Sequence, residues 1–128
     1  MLIAQITCSR GSFSFRAKVD LKPGVLYGLI GPSGSGKTTF LHALAGIVPA
    51  DGEIKFKQDI WQDHSYIAPS QRRSISTVFQ ENRLFPHLTV KENLLFAEER
   101  SLGDSSSVDM ETVVENLEID RILEKKPE

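Results

Sequence analysis

The chain has 128 residues, of which 40% are hydrophobic and 25% are charged, and its formal net charge at pH 7 is −2. This composition suits one soluble domain, and the lack of a basic excess argues against nucleic acid as a partner. The single cysteine, Cys8, excludes an intramolecular disulfide and is expected to be a buried structural thiol in a reducing compartment. No apolar run approaches the ~20 residues of a membrane span and no secretory signal opens the sequence. We therefore expect a protein that does not insert into a membrane and is either cytosolic or peripheral to a membrane through a partner.

The start of the chain predicts two antiparallel strands and one buried strand. Residues 2–7 are largely apolar, and apolar and polar side chains alternate from residue 12 to residue 19, as in a half-buried strand of an antiparallel sheet. A further apolar run occupies residues 25–30, which is typical of a buried strand.

Residues 31–38, Gly-Pro-Ser-Gly-Ser-Gly-Lys-Thr, match the phosphate-binding pattern G-x-x-x-x-G-K-[ST] at every fixed position. A strand before the pattern and a helix after it are the context that the pattern requires. The glycines let backbone N–H groups converge on an anion, and the N-terminus of the following helix adds a partial positive charge. Lys37 would reach the β- and γ-phosphates, and the Thr38 hydroxyl would complete the shell of a Mg²⁺ ion. We therefore expect this loop to bind the phosphates of a nucleotide.

The helix after the loop has a predicted end and is followed by a further strand. Gly46 suits the left-handed position after the last helical turn. Residues 51–52, Asp-Gly, are typical of a turn, and residues 53–57 alternate like a strand. Residues 58–73 are polar and predict an irregular segment, in which Trp61 would contribute surface or satellite packing.

Residues 74–79 predict another strand of the α/β pattern, with Gln80 at its carboxyl end. Ligands gather beyond the carboxyl ends of the strands in open α/β sheets, so Gln80 is well placed to reach a bound metal or water. A solvated loop glutamine is the alternative that its position on the strand leaves open.

The last third of the chain predicts helices. Residues 84–88 predict a loop with exposed apolar side chains, a candidate docking surface. Thr89 and Glu92 have the spacing of a capping box, so a helix is expected to begin there and to end near residue 100. Residues 101–107 form a serine-rich break. Beyond it, residues 108–117 are amphipathic, and a short helix is expected to follow Asp120.

Three segments together resemble the ATP-binding subunit of ABC transporters. Residues 31–41 resemble the Walker A segment of this family, and residues 78–82, Val-Phe-Gln-Glu-Asn, resemble its Q-loop. Residues 84–94 resemble the sequence after the Q-loop in bacterial importers of small anions, iron and polyamines, with molybdate importers the most similar. The resemblance is to the importer type and extends over nearly the whole sequence.

This resemblance implies an α/β fold, namely the P-loop NTPase (ABC ATPase) core, incomplete, with an antiparallel β subdomain and the start of a helical subdomain. Residues 1–98 would form the N-terminal part of the nucleotide-binding core, including the antiparallel strands, Walker A and the Q-loop. Residues 99–128 would begin the helical subdomain.

The resemblance also implies roles for individual residues. ATP and Mg²⁺ would be the ligands, Lys37 and Gln80 the catalytic residues, and Thr38 and Gln80 the contacts of the metal or of the attacking water. An aromatic residue before the loop stacks on adenine in this family; Phe13 is the candidate here, and Phe15, on the same strand face, is the alternative. The residues expected to bind ATP are Gly31, Pro32, Ser33, Gly34, Ser35, Gly36, Lys37, Thr38, Thr39 and Phe13.

Partners and location follow from the same resemblance. The membrane subunits of a transporter would bind through the region around Gln80–Val90, and a second nucleotide-binding subunit would complete a dimer. The protein would lie in the cytoplasm, peripheral at the inner face of the cell membrane. Solute choice resides in other subunits of such transporters.

Three later motifs of the family are absent from these 128 residues. There is no Leu-Ser-Gly-Gly-Gln signature, no apolar strand that ends in Asp-Glu, and no switch histidine after them. We therefore expect the N-terminal portion of an ATPase subunit, which binds Mg-ATP but does not hydrolyse it by itself. The alternatives are a non-hydrolysing nucleotide-binding sensor or assembly module, and a P-loop kinase, which residues 78–94 do not favour.

Overall fold

The computed structural model describes residues 1–81, 83–100 and 109–127. The chain forms two compact units, residues 1–77 and residues 78–128. The first unit contains the predicted phosphate loop, and the second contains Gln80. The subdomain boundary expected after residue 98 remains a prediction.

The first unit is built on a four-stranded antiparallel sheet in the order β2-β1-β3-β4. β1 spans Leu2–Arg10 and β2 spans Phe13–Leu21, which confirms the two strands predicted at the start of the chain. β3 (Asp51–Phe56) pairs with the other side of β1, and β4 (Asp59–Gln62) forms the far edge. Exposed and half-buried residues alternate along most of β2, so one face of the sheet is covered and the other faces solvent.

A short helix, α1 (Lys37–Leu44), packs on the covered face of the sheet. Alternate residues of β1 are buried beneath it, because successive side chains of a strand point to opposite faces. Cys8 is one of them, as predicted; burial, and then the charge of Asp51, raise the pKa of its thiol. The core comprises Leu2, Ala4, Ile6, Cys8, Phe40, Ala43, Leu44, Ile54, Trp61 and Ala68.

The helix α1 ends where the sequence predicted. Gly46 has a φ of 74°, in the left-handed region. Its N–H donates to the carbonyl of Ala43 at 3.1 Å, and the N–H of Ile47 donates to the carbonyl of His42 at 2.9 Å. These two bonds form a Schellman motif, which satisfies carbonyls that the last helical turn leaves without a partner.

Two predictions for the chain after α1 are wrong. Residues 51–52 begin β3 instead of forming a turn, because both pair with β1. Residues 59–62 form β4 instead of irregular chain, and Trp61 is only 3% exposed, with its ring centroid 4.7 Å from that of Phe56. Lys57 turns the chain between β3 and β4 with a φ of 55°.

The strands predicted at residues 25–30 and 74–79 do not form in the described part of the chain. Most of their apolar side chains remain exposed to solvent: Leu26 is 100% exposed, Ile30 95% and Val78 97%. An apolar run predicts which residues favour burial, but a strand also requires a neighbour that exchanges backbone hydrogen bonds with it. The four-stranded sheet offers these two segments no such neighbour.

The second unit begins its first helix as the sequence predicted. α2 spans Val90–Glu99, and its capping box is complete. The N–H of Glu92 donates to Oγ1 of Thr89 at 3.2 Å, and the N–H of Thr89 donates to Oε2 of Glu92 at 2.7 Å. The bonds that the N–H and the hydroxyl of Thr89 donate to the Glu92 carboxylate lower its pKa, because they favour its charged form.

The end of the chain is also helical, as predicted. α3 spans Met110–Asn116, and a single 3-10 turn follows at Asp120–Ile122. The serine-rich break predicted at residues 101–107 lies outside the described residues, as does residue 108. Across the ranges that the structure describes, no helix has the length and apolarity needed to cross a membrane.

Candidate functional site

The predicted phosphate loop folds back on itself before it enters α1. Gly34 has a φ of 78° and Gly36 a φ of 91°, and residues with a Cβ rarely adopt such values. Between them, the N–H of Ser35 donates to the carbonyl of Pro32 at 3.3 Å. Gly36 is the residue immediately before α1, so the loop leads directly into the N-terminus of the helix.

Lys37 lies over this loop. Its Nζ donates to the carbonyl oxygens of Gly31 and Pro32, both at 2.7 Å. An ammonium group has three donors, so a further one can point to an anion. Both of these acceptors are neutral carbonyls, and among the described residues no carboxylate forms an ion pair with Lys37, so its positive charge is available to an anionic ligand.

The first turn of α1 adds backbone donors to the site. The first N–H groups of any helix lack partners within the helix, and the helix dipole places partial positive charge there. Thr38 and Thr39 belong to this turn; Thr38 is exposed and Thr39 is half-buried. A hydroxyl at this position suits an anion or the oxygen shell of a hard cation.

Oxygen ligands for Mg²⁺ at this site would come from Thr38, from phosphate and from water. Among the described residues, no group of three or more His, Cys, Asp and Glu side chains could hold a metal. Mg²⁺ commonly keeps several waters and binds through few protein groups together with substrate phosphates. The Thr38 hydroxyl therefore fits a cation that arrives with a nucleotide.

Two aromatic rings lie against the loop at Gly36. A Cβ added to Gly36 would stand 2.9 Å from Cζ of Phe13 and 3.1 Å from Cδ1 of Phe15. The ring of Phe15 also packs edge-on against Phe40 of α1, with the ring centroids 6.4 Å apart, and Phe15 is half-buried. Phe13 is 37% exposed, so part of its ring beside the loop is open to a ligand.

Gln80 lies in the second unit, where it is exposed. The guanidinium carbon of Arg83 is 4.1 Å from the ring centroid of Phe79. Asn82, within the predicted Q-loop, lies outside the described residues. The position of Gln80 relative to Lys37 remains a prediction.

Sequence reasoning missed Asn93, a buried residue of α2. Its Oδ1 accepts from the N–H of Phe85 at 2.8 Å, and its Nδ2 donates to the carbonyls of Phe85, Leu88 and Thr89 at 3.2, 3.3 and 2.9 Å. One amide therefore fixes the loop that was predicted as a docking surface. No sequence signal points to Asn93, because all four partners are backbone groups.

Sequence reasoning also missed Arg73, which is 4% exposed and binds the carbonyl end of α1.

A separate cleft of 660 Å³ lies in the second unit, lined by Lys91, Met110, Val114 and Leu123 among others. It contains none of the predicted site residues.

A glycine loop that enters a helix, with a lysine folded over the loop, is typical of the class of P-loop proteins, although residues 25–30, before the loop, form no strand here. A protein-family model described as "ABC transporter" matches residues 15–128. The chain belongs to the ABC transporter family. The predicted fold class is thereby confirmed: an incomplete α/β P-loop NTPase core with an antiparallel β sheet.

Relatives support the importer type that the sequence predicted. The chain is 38% identical over 117 residues to the molybdenum import ATP-binding protein ModC of Thiobacillus denitrificans, a match that covers 91% of this chain and 32% of that protein. It is 44% identical over 117 residues to ModC of Methylococcus capsulatus, with 89% and 33% covered. It is 41% identical over 118 residues to ModC 1 of Azotobacter vinelandii, with 88% and 33% covered. The chain thus spans about a third of the length of these curated relatives.

Proposed function

We propose that the chain binds Mg-ATP through residues 31–39. The observation that carries this proposal is the position of Lys37, whose Nζ is 2.7 Å from two carbonyl oxygens of a glycine loop at the N-terminus of α1. Phosphate oxygens can replace these carbonyls as acceptors, because a charged acceptor binds an ammonium more strongly than a neutral one. The N–H groups of the loop and of the first turn of α1 would hold the remaining phosphate oxygens.

The other roles follow from where the side chains lie. The exposed hydroxyl of Thr38 would contact the Mg²⁺ ion, and Gln80 would contact the metal or the attacking water. We favour Phe13 over Phe15 as the residue that stacks on adenine. The ring of Phe15 packs against Phe40 of α1, whereas the ring of Phe13 lies beside Gly36 and is partly exposed. Stacking of a base on an aromatic ring tolerates any aromatic residue.

We infer that the chain alone binds ATP without measurable hydrolysis. Phosphoryl transfer requires a held metal and an oriented water in addition to the phosphate loop. The 128 residues contain neither a Ser-Gly-Gly segment nor an Asp-Glu pair, the motifs that supply these groups in the family. The complete subunit is proposed to be an ATPase whose Lys37 and Gln80 take part in the reaction.

We further propose that this ATPase powers import of molybdate or a related anion, which is what the names of the relatives suggest. The subunit would lie at the inner face of the cell membrane and pair with a second nucleotide-binding subunit. The loop around Gln80–Val90 would bind the membrane subunits. Leu84 and Phe85 support this role, because both are exposed large apolar residues in a loop that Asn93 holds in one conformation.

Equilibrium binding of Mg-ATP to the chain, with phosphate release followed in the same samples, tests the proposal. Lys37→Ala should weaken binding about 10- to 100-fold, the effect of losing a charged hydrogen bond of ~1.5–3 kcal/mol. Lys18→Ala is the matched control, because it removes the same charge from an exposed position on β2. Equal affinity of the Lys37 and Lys18 variants would contradict the proposal, and phosphate release that depends on Lys37 would contradict the predicted lack of hydrolysis.

A further inference from the structure

Arg73 is a buried cation with no carboxylate partner among the described residues. Its Nε donates to the carbonyl of Ala68 at 3.1 Å, and its Nη1 donates to the carbonyls of Ala43 and Leu44 at 3.1 and 2.8 Å. Its Nη2 donates to Oε1 of Gln62 at 3.4 Å. All of its acceptors are neutral, and burial lowers the pKa of its guanidinium. A buried charge held in this way calls for a structural reason.

The reason lies in the acceptors at the end of α1. The carbonyls of Ala43 and Leu44 belong to the last turn of the helix, where the helix dipole places partial negative charge. The guanidinium of Arg73 is the counter-charge of that end. Through Gln62, whose Nε2 donates to the carbonyl of Ala50 at 2.6 Å, the same guanidinium is also connected to the chain that leads into β3.

The other end of α1 is the proposed phosphate site. The helix has eight residues, so it is about 12 Å long at 1.5 Å per residue. A helix this short is not stable by itself, and its position depends on the contacts that it makes. A shift at its carbonyl end would therefore move Lys37 and Thr38, which lie in its first turn.

Gly46 shows how closely Arg73 fits this helix end. A Cβ at Gly46 would stand 2.7 Å from Nε and 2.9 Å from Cζ of Arg73. The glycine therefore provides the left-handed turn after α1 and also the space for the guanidinium. Arg73 in turn is followed by residues 74–79, the segment that leads to Gln80.

We propose that Arg73 is a positioning residue for the phosphate loop: by holding the carbonyl end of α1 it sets where Lys37 and Thr38 lie. This role rests on the proposed binding of Mg-ATP at the loop. It predicts that the loss of Arg73 changes nucleotide affinity by more than a general loss of stability can explain.

Three variants test the proposal. Arg73→Met removes the charge at similar length, and Arg73→Lys keeps the charge but loses the planar fork that reaches several carbonyls. Ile54→Val is the control, because it trims a fully buried side chain of β3 and lowers stability while the hydrogen bonds of Arg73 to the end of α1 are kept. Mg-ATP affinity is measured at a temperature at which circular dichroism shows each protein to be folded. The amide resonances of Lys37 and Thr38 are recorded without nucleotide.

We expect Arg73→Met to weaken Mg-ATP binding at least about tenfold, equivalent to about 1.4 kcal/mol. Arg73→Lys should weaken it by a smaller factor, and Ile54→Val should leave it unchanged. If Arg73→Met does not fold, Arg73→Lys decides the question in the same measurements. Wild-type affinity in a folded Arg73 variant would overturn the positioning role and leave the proposed function intact.

Failure of the wild-type chain to bind Mg-ATP would instead overturn the proposed function. The resonances then test Arg73 independently. The positioning role predicts that the amides of Lys37 and Thr38 shift in Arg73→Lys and not in Ile54→Val. Unchanged amides in Arg73→Lys would overturn it.

Discussion

Replacement of Gly36 by alanine tests how the phosphate loop is supported. An alanine there must keep a φ of 91°, and the left-handed region costs a residue with a Cβ about 1–2 kcal/mol. The new Cβ would also stand 2.9 Å from Cζ of Phe13 and 3.1 Å from Cδ1 of Phe15. Overpacking of this kind costs about 1–3 kcal/mol, so the total strain is about 2–5 kcal/mol.

Gly34→Ala is the matched control in the same loop. Gly34 has a φ of 78°, but a Cβ added there meets no other heavy atom within 4 Å. Its expected cost is therefore the backbone strain alone, about 1–2 kcal/mol. The difference between the two variants isolates the contribution of the aromatic rings to the shape of the loop.

The assay combines urea unfolding with calorimetric binding of Mg-pyrophosphate, because strain in a loop can lower the stability of the fold or the affinity of the loop. Pyrophosphate carries no base, so Phe13→Ala can be combined with Gly36→Ala without loss of a stacking contact. For each variant we add the loss in free energy of unfolding to the loss in free energy of Mg-pyrophosphate binding. We expect this sum to be larger for Gly36→Ala than for Gly34→Ala, and we expect Phe13→Ala to restore part of it. Equal losses in both glycine variants, or no recovery in the double variant, would refute this reasoning.

Two further predictions concern α2. The hydrogen bonds from the N–H and the hydroxyl of Thr89 lower the folded-state pKa of Glu92. The Glu92 carboxylate therefore stabilises the fold at any pH above its unfolded-state pKa. This stabilisation is lost as the pH falls through the folded-state pKa. Unfolding midpoints of wild type and Glu92→Ala should therefore differ at pH 7 and converge toward pH 3; a constant difference would argue against the capping role. Asn93→Ala should lower the free energy of unfolding by about 1–3 kcal/mol, because it leaves buried backbone groups without their partner. The exposed Asn116→Ala should change it by less than about 0.5 kcal/mol, and similar urea midpoints for the two variants would show that the amide of Asn93 contributes little.

Features that depend on neighbours in sequence were predictable. The glycine loop, the end of α1 at Gly46 and the capping box at Thr89 each involve groups a few residues apart, so their residue types reveal them. The alternation along β2 likewise identified the covered face of the sheet, because the side-chain period of a strand is two.

Features that depend on distant backbone groups were not predictable. Arg73 binds carbonyls 29 and 30 residues away, and a carbonyl oxygen has no signature in the sequence. The burial of Trp61 was missed for a related reason. The strand β4 is only four residues long and of mixed composition, so its sequence does not identify it as a strand. Trp61 is buried because β4 pairs with β3, a contact that the sequence does not show. A tryptophan in a polar segment is the only signal that favoured a buried position.

Residues 25–30 and 74–79 show the limit of reading burial from composition. Residues 25–30 have the apolar composition of a buried strand, and half of residues 74–79 are apolar, yet in the described chain neither segment pairs with a strand. The preference for burial is a property of the side chains, while strand formation is a property of a pair of segments. Composition identified the preference but could not supply the partner.

Backbone resonances of the ¹⁵N-labelled chain, titrated with Mg-ATP and in parallel with Mg-AMP, test nucleotide binding at the loop most directly. We expect Mg-ATP to shift the amides of Gly34, Gly36, Lys37 and Thr38 with one common dissociation constant. Mg-AMP should have a much weaker effect, because the loop recognises the β- and γ-phosphates. Shifts confined to the cleft between α2 and α3, or none in the loop at saturating Mg-ATP, would contradict the proposed function.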